Sequence, residues 1–163
     1  MSGQPLPIER ILVMLTEAPP RIAALTATLQ PAQLHTPPNR GEWSANEVLA
    51  HLRSCAEVWG GCIATILAQE TPTIRAVSPR TWIKRTDYPR QPFHSSLDAY
   101  AAQRAELLAQ LSALTSEAWS RAATVRKGGK PLAQTVHNYA ERLAIHEQPH
   151  IGQLEEIANT MHR

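Results

Sequence analysis

The sequence predicts an all-α fold, a four-helix bundle built around a single core. Apolar residues recur at helical spacing in four long segments, whereas the alternating patterns typical of strands are weak. The length of 163 residues is close to the commonest size of a single domain. We therefore expect residues 1–163 to form one helical bundle domain, with a long connection between the second and third helices.

The first helical segment extends roughly from Pro7 to Gln30. Its apolar stripe begins at Ile8 and is interrupted by two consecutive prolines, Pro19 and Pro20. Proline is disfavoured inside a helix but is well tolerated in a first turn. The segment therefore predicts either two short helices or one kinked helix.

The second helix has the clearest start in the chain. Ser44 and Glu47 form a capping box, with Ser44 as the N-cap and Glu47 three residues later. The residues that follow alternate spacings of four and three, which is the pattern of a helix facing a bundle core. This apolar stripe consists of Val48, Leu52, Cys55, Trp59, Cys62 and Ile66.

Residues 70–95 form the long connection, which is rich in proline and in basic residues and also contains Trp82. Connections of this length inside a compact domain are usually functional or mobile. In a bundle, this segment must cross the outside or cover one end. Its basic residues have two interpretations, either a solvated surface or a binding surface for an anion.

The third helix is predicted from about Ser96 to Leu114. Arg104 lies on the apolar stripe of this helix. One interpretation is that its stem packs on the core while its guanidinium reaches solvent. The other is that Arg104 points into the bundle and pairs with a carboxylate or with a substrate anion.

The fourth helix is predicted from near Pro131 to about Thr160, after a tight loop at residues 127–130. His146 and His150 are one helical turn apart on its apolar stripe. Two imidazoles on a core face need polar partners, and a shared metal ion would satisfy both. A pair spaced by four residues is the usual helical arrangement for two nitrogen ligands.

A third histidine, His51, lies on the core-facing stripe of the second helix. Three neutral imidazoles suit divalent transition metals such as zinc, nickel, copper or iron. Three protein ligands also leave coordination positions open, as in reactive sites. The spacing therefore predicts a divalent metal site, although core histidines without metal remain the alternative.

Two other metal motifs fit less well. Residues 146–150 read His-Glu-Gln-Pro-His and match the H-E-x-x-H pattern of zinc peptidases. Against a peptidase, Pro149 lies inside the motif and no sheet is evident to bind an extended peptide. Ferritin-like di-iron bundles need two E-x-x-H motifs, of which only residues 147–150 supply one.

Charge and composition exclude several classes of partner. The formal net charge of +2 provides no strong field for nucleic acid, and no apolar run approaches the ~18 residues of a membrane span. The N-terminal residues lack the features of a signal peptide, so we expect a cytoplasmic protein. Cys55 and Cys62 would lie about 10 Å apart on one helix, too far for a disulfide. Each is either a small core residue or a thiol near a metal site.

Four groups of residues form a recognisable pattern along the chain, namely Gly41-Glu42-Trp43-Ser44, Glu47-Val48-Leu49-Ala50-His51-Leu52, Glu57, and His146-Glu147-x-x-His150-Ile151-Gly152-Gln153-Leu154. By these motifs the chain resembles the DinB-like (DinB/YfiT-like) superfamily over residues 8–158. The resemblance implies a four-helix bundle of that type, a metal site with His51, His146 and His150 as ligands, and frequent homodimers. Known members include metal-dependent thiol transferases.

These observations favour a metal-dependent enzyme of the thiol transferase or hydrolase type, with zinc or nickel as the metal and a small-molecule substrate. Glu147 is a candidate proton acceptor. Arg104 and Trp82, with the basic connection, are candidates for holding a low-molecular-weight anionic thiol. Pro149 departs from the family pattern and would rotate His150 relative to His146. The alternative is a non-catalytic, metal-binding or stress-associated protein that keeps the bundle.

Overall fold

The structure is a computed structural model that describes residues 3–162, and most of these residues are helical. In chain order the helices are α1 (Ile8–Thr26), α2 (Pro31–Leu34), α3 (Ala45–Ala68), α4 (Pro79–Trp82), α5 (Phe93–Ser112), α6 (Ser116–Trp119) and α7 (Val136–Met161). The strands are β1 (Thr73–Arg75), β2 (Ala122–Arg126) and β3 (Leu132–Thr135), and short 3-10 turns occupy Ile83–Arg85 and Tyr88–Arg90.

The four long helices α1, α3, α5 and α7 form a bundle in a non-sequential order. Helices α1 and α3 each pack against both α5 and α7, so α1 and α3 lie diagonally opposite one another. The core between them is mainly aliphatic and aromatic, and it also contains the buried side chains of Arg104 and Glu147. Within the described part of the chain, no helix combines the length and the apolar character needed to cross a membrane.

Helix α1 continues without a break through Pro19 and Pro20. Pro19 has no N–H to donate to the carbonyl oxygen of Leu15, four residues earlier. The Nη1 atom of Arg104 donates to that oxygen instead, at 2.9 Å. The helical bond that Pro19 removes is thus replaced by a donor from α5.

Helix α3 begins where the sequence predicts. The hydroxyl of Ser44 accepts from the N–H of Glu47, and the Glu47 carboxylate accepts from the N–H of Ser44. The helix then extends through both mid-helix glycines to Ala68. The start of this capped helix determines where His51 lies along the bundle axis.

The prediction of an all-α fold was wrong in one respect, because three short strands form a sheet in the order β1–β2–β3. Strands β1 and β2 are parallel, and β2 and β3 are antiparallel. At three to five residues, these strands are too short to show a clear alternation in the sequence. Since residues 132–135 belong to β3, α7 begins at Val136, where Thr135 supplies the cap, and not near Pro131.

The long connection between α3 and α5 is ordered and not a plain loop. It contains β1, α4 and both 3-10 turns, and α5 begins at Phe93, three residues before the predicted start. The Glu57 carboxylate of α3 accepts from Trp82 Nε1 and from the Tyr88 hydroxyl, each at 2.5 Å. These two bonds hold the connection against the bundle.

Candidate metal centre

Helices α3 and α7 bring His51 and His146 into direct contact. Their Nε2 atoms lie 3.1 Å apart, so one ring donates and the other accepts. The ring of His150 lies beside both, with centroid separations of 4.7 Å from His51 and 4.9 Å from His146. The rings of the three histidines predicted from the sequence therefore adjoin one another, although the ligand atoms that lie within 4.8 Å of one another are those of His51, Cys55 and His146.

The spacing of the cluster suits a metal. Two nitrogen ligands at zinc-like bond lengths in a tetrahedral site lie about 3.3 Å apart. The 3.1 Å between His51 Nε2 and His146 Nε2 is close to that value. A metal ion would therefore require only small adjustments of these two side chains.

Cys55 is a member of the cluster that the sequence alone did not assign. Its Sγ lies 3.5 Å from His51 Nε2, and the ligand atoms of His51, Cys55 and His146 all lie within 4.8 Å of one another. A nitrogen and a thiolate sulfur on one tetrahedral zinc lie about 3.6 Å apart. The four-residue spacing from His51 is the feature of the sequence that places the thiol here.

His150 is oriented by two neighbours. Its Nδ1 lies 3.1 Å from the Oε1 atom of Gln153. Because that oxygen only accepts, Nδ1 carries the proton and Nε2 is left as the free lone pair. The indole of Trp43 stacks on the ring, nearly parallel at 14°. Helix α7 continues through Pro149, so the proline does not separate His150 from His146.

The electrostatic environment keeps the imidazoles of His51 and His146 uncharged. Burial, assisted by the nearby imidazoles of His150 and His146, lowers the pKa of His51 to about 4. Burial likewise lowers the pKa of His146, again assisted by His150. Burial also raises the pKa of Cys55 to about 12, with a contribution from the Glu147 charge. At neutral pH both imidazoles have a lone pair available, whereas the thiol holds its proton.

The structure does not bring Glu147 to the histidines, although it follows His146 directly. The carboxylate is fully buried and faces α5, where it accepts from Arg104 and from the Tyr100 hydroxyl. Its negative charge is thus already paired with a guanidinium. The prediction that Glu147 accepts a proton during catalysis does not fit this position.

Arg104 and Trp82 also lie away from the histidine cluster. Arg104 is 2% exposed and pairs with Glu147. Of the interpretations offered by the sequence, this is the one in which Arg104 points into the bundle and pairs with a carboxylate, and it leaves no room for a bound cofactor. Trp82 donates to Glu57 and packs near Arg85, so it stabilises the connection. Neither residue is placed to hold a thiol beside the metal ligands.

An open cleft of about 400 Å³ leads to His51. Trp43 and Glu47 line it on the α3 side, and Arg80 and Lys84 line it on the side of the connection. Arg80 is close enough for its positive charge to lower the pKa of His51. Glu47 is the one carboxylate among these lining residues. The sequence identifies it as part of a helix cap and of a family motif, but not as a site residue.

Comparison with known proteins places this geometry in context. The family model described as the DinB superfamily matches residues 14–154. The solved structure of YfiT from Bacillus subtilis, described as a probable metal-dependent hydrolase with an unusual four-helix bundle topology, aligns with a TM-score of 0.81. The two chains are 21% identical, and the alignment covers 99% of this chain and 93% of YfiT. No curated protein matches the sequence.

Proposed function

This chain belongs to the DinB superfamily, and on that premise we propose that it is a metal-dependent hydrolase whose divalent metal is bound by His51, His146 and His150. The contact between His51 Nε2 and His146 Nε2, 3.1 Å long, is the observation that carries the proposal. The description of YfiT as a probable metal-dependent hydrolase supports the reaction type. Zinc and nickel are among the divalent metals that suit imidazole ligands.

His150 is a better third ligand than Cys55. The Cys55 side chain is fully buried, and both burial and the Glu147 charge oppose its ionisation by raising its pKa. Only the thiolate is a strong metal ligand. His150 is half-buried, and its Nε2 lone pair is already free because Nδ1 bonds to Gln153. Three histidine ligands also leave a coordination position open, and the cleft reaches the cluster at His51.

A bound divalent metal would supply Lewis acidity and lower the pKa of water at the site. The chain must then provide a proton acceptor, and Glu47 is the candidate. It is exposed, lines the cleft beside His51, and uses Oε1 to accept from the Ser44 N–H. Its second oxygen is free to take a proton from water. Glu47 replaces Glu147 in this role.

The substrate group that enters this cleft is proposed to be anionic. Arg80 and Lys84 supply two positive charges to the lining, against the single negative charge of Glu47. Both basic side chains are exposed. Glu57 anchors the connection that carries them, through Trp82 and Tyr88. The cleft thus combines an electrophilic centre with positive charges held in place beside it.

A second candidate function is transfer of a group to a low-molecular-weight thiol. One observation favours it, namely that a separate cleft borders His146 from another side of the cluster, lined also by Arg142 and Glu141. Two routes to one centre would admit two substrates. A non-catalytic role is less favoured, because the cleft at His51 gives small molecules access to the cluster.

The test uses protein loaded with zinc or nickel and a panel of 4-nitrophenyl esters, anionic and neutral. We expect metal-stimulated release of 4-nitrophenolate, faster for anionic esters and at least 100-fold slower in His146→Ala. Glu47→Gln should lower kcat by roughly 100-fold. Because glutamine also serves at that position of a capping box, this change preserves the helix start.

Glu42→Gln, which neutralises another exposed carboxylate near the same helix start, is the matched control and should keep the activity. Equal rates in wild type and His146→Ala would overturn the hydrolase proposal. So would a metal-loaded protein that releases no product from any ester of the panel. Product formation only when a small thiol is added, with the thiol joined to the product, would support the transfer alternative instead.

A further inference from the structure

A third, larger cleft of about 570 Å³ lies between α3, α7 and the β2–β3 hairpin. This volume falls in the range of about 300 to 1,000 Å³ typical of small-molecule sites. Its walls are largely apolar, and Leu132 on β3 is 61% exposed. The apolar residues that matter most here are Val58, Trp59, Val77, Val125 and Leu132.

The same cleft is strongly positive. Lys127, Lys130 and Arg142 line it, and no aspartate or glutamate is found among its lining residues as described. Lys127 and Lys130 are exposed on the hairpin loop. An apolar wall beside three cations, without a compensating carboxylate, is complementary to a molecule with an apolar body and an anionic group.

Arg142 and Trp59 connect this cleft to the metal centre. The edge of the Trp59 indole meets the His146 ring at 90°, with centroids 5.2 Å apart. The Arg142 guanidinium lies over both Trp59 and Tyr139, at 5.8 and 5.1 Å from their ring centroids. Its Nη2 also donates to Gln134 at 2.8 Å. These contacts direct the guanidinium towards Trp59, whose ring meets His146.

The smaller cleft beside His146 shares Arg142 and Gln134 with the larger one, so the two are adjacent. Its one carboxylate, Glu141, accepts from the N–H of Leu6. That contact directs the carboxylate towards the N-terminal segment. An anion at Arg142 would thus be next to His146, with Glu141 as the one carboxylate lining the adjacent cleft.

We propose that this cleft binds an amphipathic anion, with its carboxylate or phosphate at Arg142, Lys127 and Lys130 and its apolar body against Trp59 and Leu132. The identification of this ligand as a substrate of the metal centre rests on the proposed function. The binding itself does not, because it involves none of the proposed metal ligands. Together, the cleft and the metal centre define the substrate class, an amphipathic anion whose reacting bond reaches His146.

The test is calorimetric titration of metal-free protein with octanoate, octyl phosphate, octan-1-ol and octylamine. Binding of either anion, at least tenfold tighter than the alcohol and with octylamine weakest, supports the proposal. The stronger anion identifies the head group. Arg142→Gln should weaken anion binding at least tenfold, and Arg21→Gln, an exposed arginine on α1, should not.

Leu132→Gln tests the apolar wall at an exposed position without adding a charge, and it should also weaken octanoate binding at least tenfold. Equal octanoate affinity in wild type and Arg142→Gln, or equal binding of octanoate and octylamine, would overturn the proposal. Octanoate should also shift the imidazole NMR resonances of His146 and leave those of exposed His162 unchanged. An unshifted His146 would overturn the connection to the metal centre.

The two proposals fail in different ways. Octanoate binding without any metal binding would leave the cleft assignment intact and remove the hydrolase. Metal binding with no measurable affinity for the octyl anions would overturn the cleft assignment and leave the hydrolase proposal intact. Arg142→Gln should leave zinc affinity unchanged, because Arg142 is not among the proposed ligands.

Discussion

The guanidinium of Arg104 on α5 pairs with the carboxylate of Glu147 on α7 inside the core, where the two side chains are 2% and 0% exposed. The same guanidinium donates to the Leu15 carbonyl that Pro19 leaves without a helical donor. The Tyr100 hydroxyl also donates to Glu147. One buried group of residues thus ties α1, α5 and α7 together.

Glu147→Gln should destabilise the fold strongly and leave the metal centre in place. Removing one partner of a buried ion pair leaves an uncompensated charge and costs about 3 to 5 kcal/mol. Urea unfolding measures this loss. The double variant Arg104→Met/Glu147→Leu should be less destabilised than either single variant. Lost zinc binding in folded Glu147→Gln would instead assign the carboxylate to the metal site.

Gln153→Ala should lower metal affinity by about tenfold without unfolding the protein, because outer partners of a ligating histidine fix its tautomer and orientation. Gln153 Oε1 is the acceptor for His150 Nδ1. Zinc titration against a competing chelator gives the affinity. Gln110→Ala, an exposed glutamine on α5, is the control. Unchanged affinity in Gln153→Ala would argue against His150 as a ligand.

The stability of metal-free protein should fall as the pH falls from about 6.5 to about 4. Burial lowers the pKa of His51 from its ordinary 6.5 to about 4, so the unfolded chain takes up this proton first. The stabilisation is therefore complete above pH 6.5 and is lost on approaching pH 4. The free energy of unfolding should drop by roughly 1 to 3 kcal/mol.

Denaturant unfolding at several pH values measures the slope of the unfolding free energy against pH. His51→Gln should flatten it, whereas His94→Gln, at an exposed position, should leave it as in wild type. A slope that is the same in His51→Gln and in wild type would show that His51 is not the group that titrates.

Glu57→Ala should loosen the connection that carries Arg80 and Lys84. Glu57 accepts from both Trp82 and Tyr88, and losing bonds to a charged group costs about 1.5 to 3 kcal/mol each. Hydrogen exchange should become faster across residues 79–90, with little change in α1. Glu70→Ala, an exposed position just after α3, is the control. Unchanged exchange at residues 79–90 would mean that other contacts hold the connection.

The sequence alone was sufficient to predict the features that depend on the spacing of residues within one helix. The Ser44–Glu47 capping box sets the start of α3, and the i, i+4 pair His146 and His150 faces His51 because all three lie on core stripes. The match to the DinB superfamily agrees with the resemblance of these motifs. Periodicity and caps are properties of one helix at a time, so they can be identified before the fold is known.

Features that depend on how helices meet could not be predicted in this way. The partner of Arg104 is Glu147, 43 residues away, and which face of α7 meets α5 is decided by packing. The role of Glu47 beside the cleft depends on where the connection folds back. The strands were missed because β1 and β3 are held by pairing with β2, not by a local pattern.

The most direct test of the metal centre is the zinc and nickel affinity of purified protein, measured by titration calorimetry with bound metal confirmed by elemental analysis. We predict one equivalent per chain, with affinity at least 100-fold lower in His51→Ala, His146→Ala and His150→Ala. Cys55→Ser and the exposed control His94→Ala should bind as wild type does. Wild type that binds neither metal, or loss of binding in Cys55→Ser but not in His150→Ala, would contradict the three-histidine site.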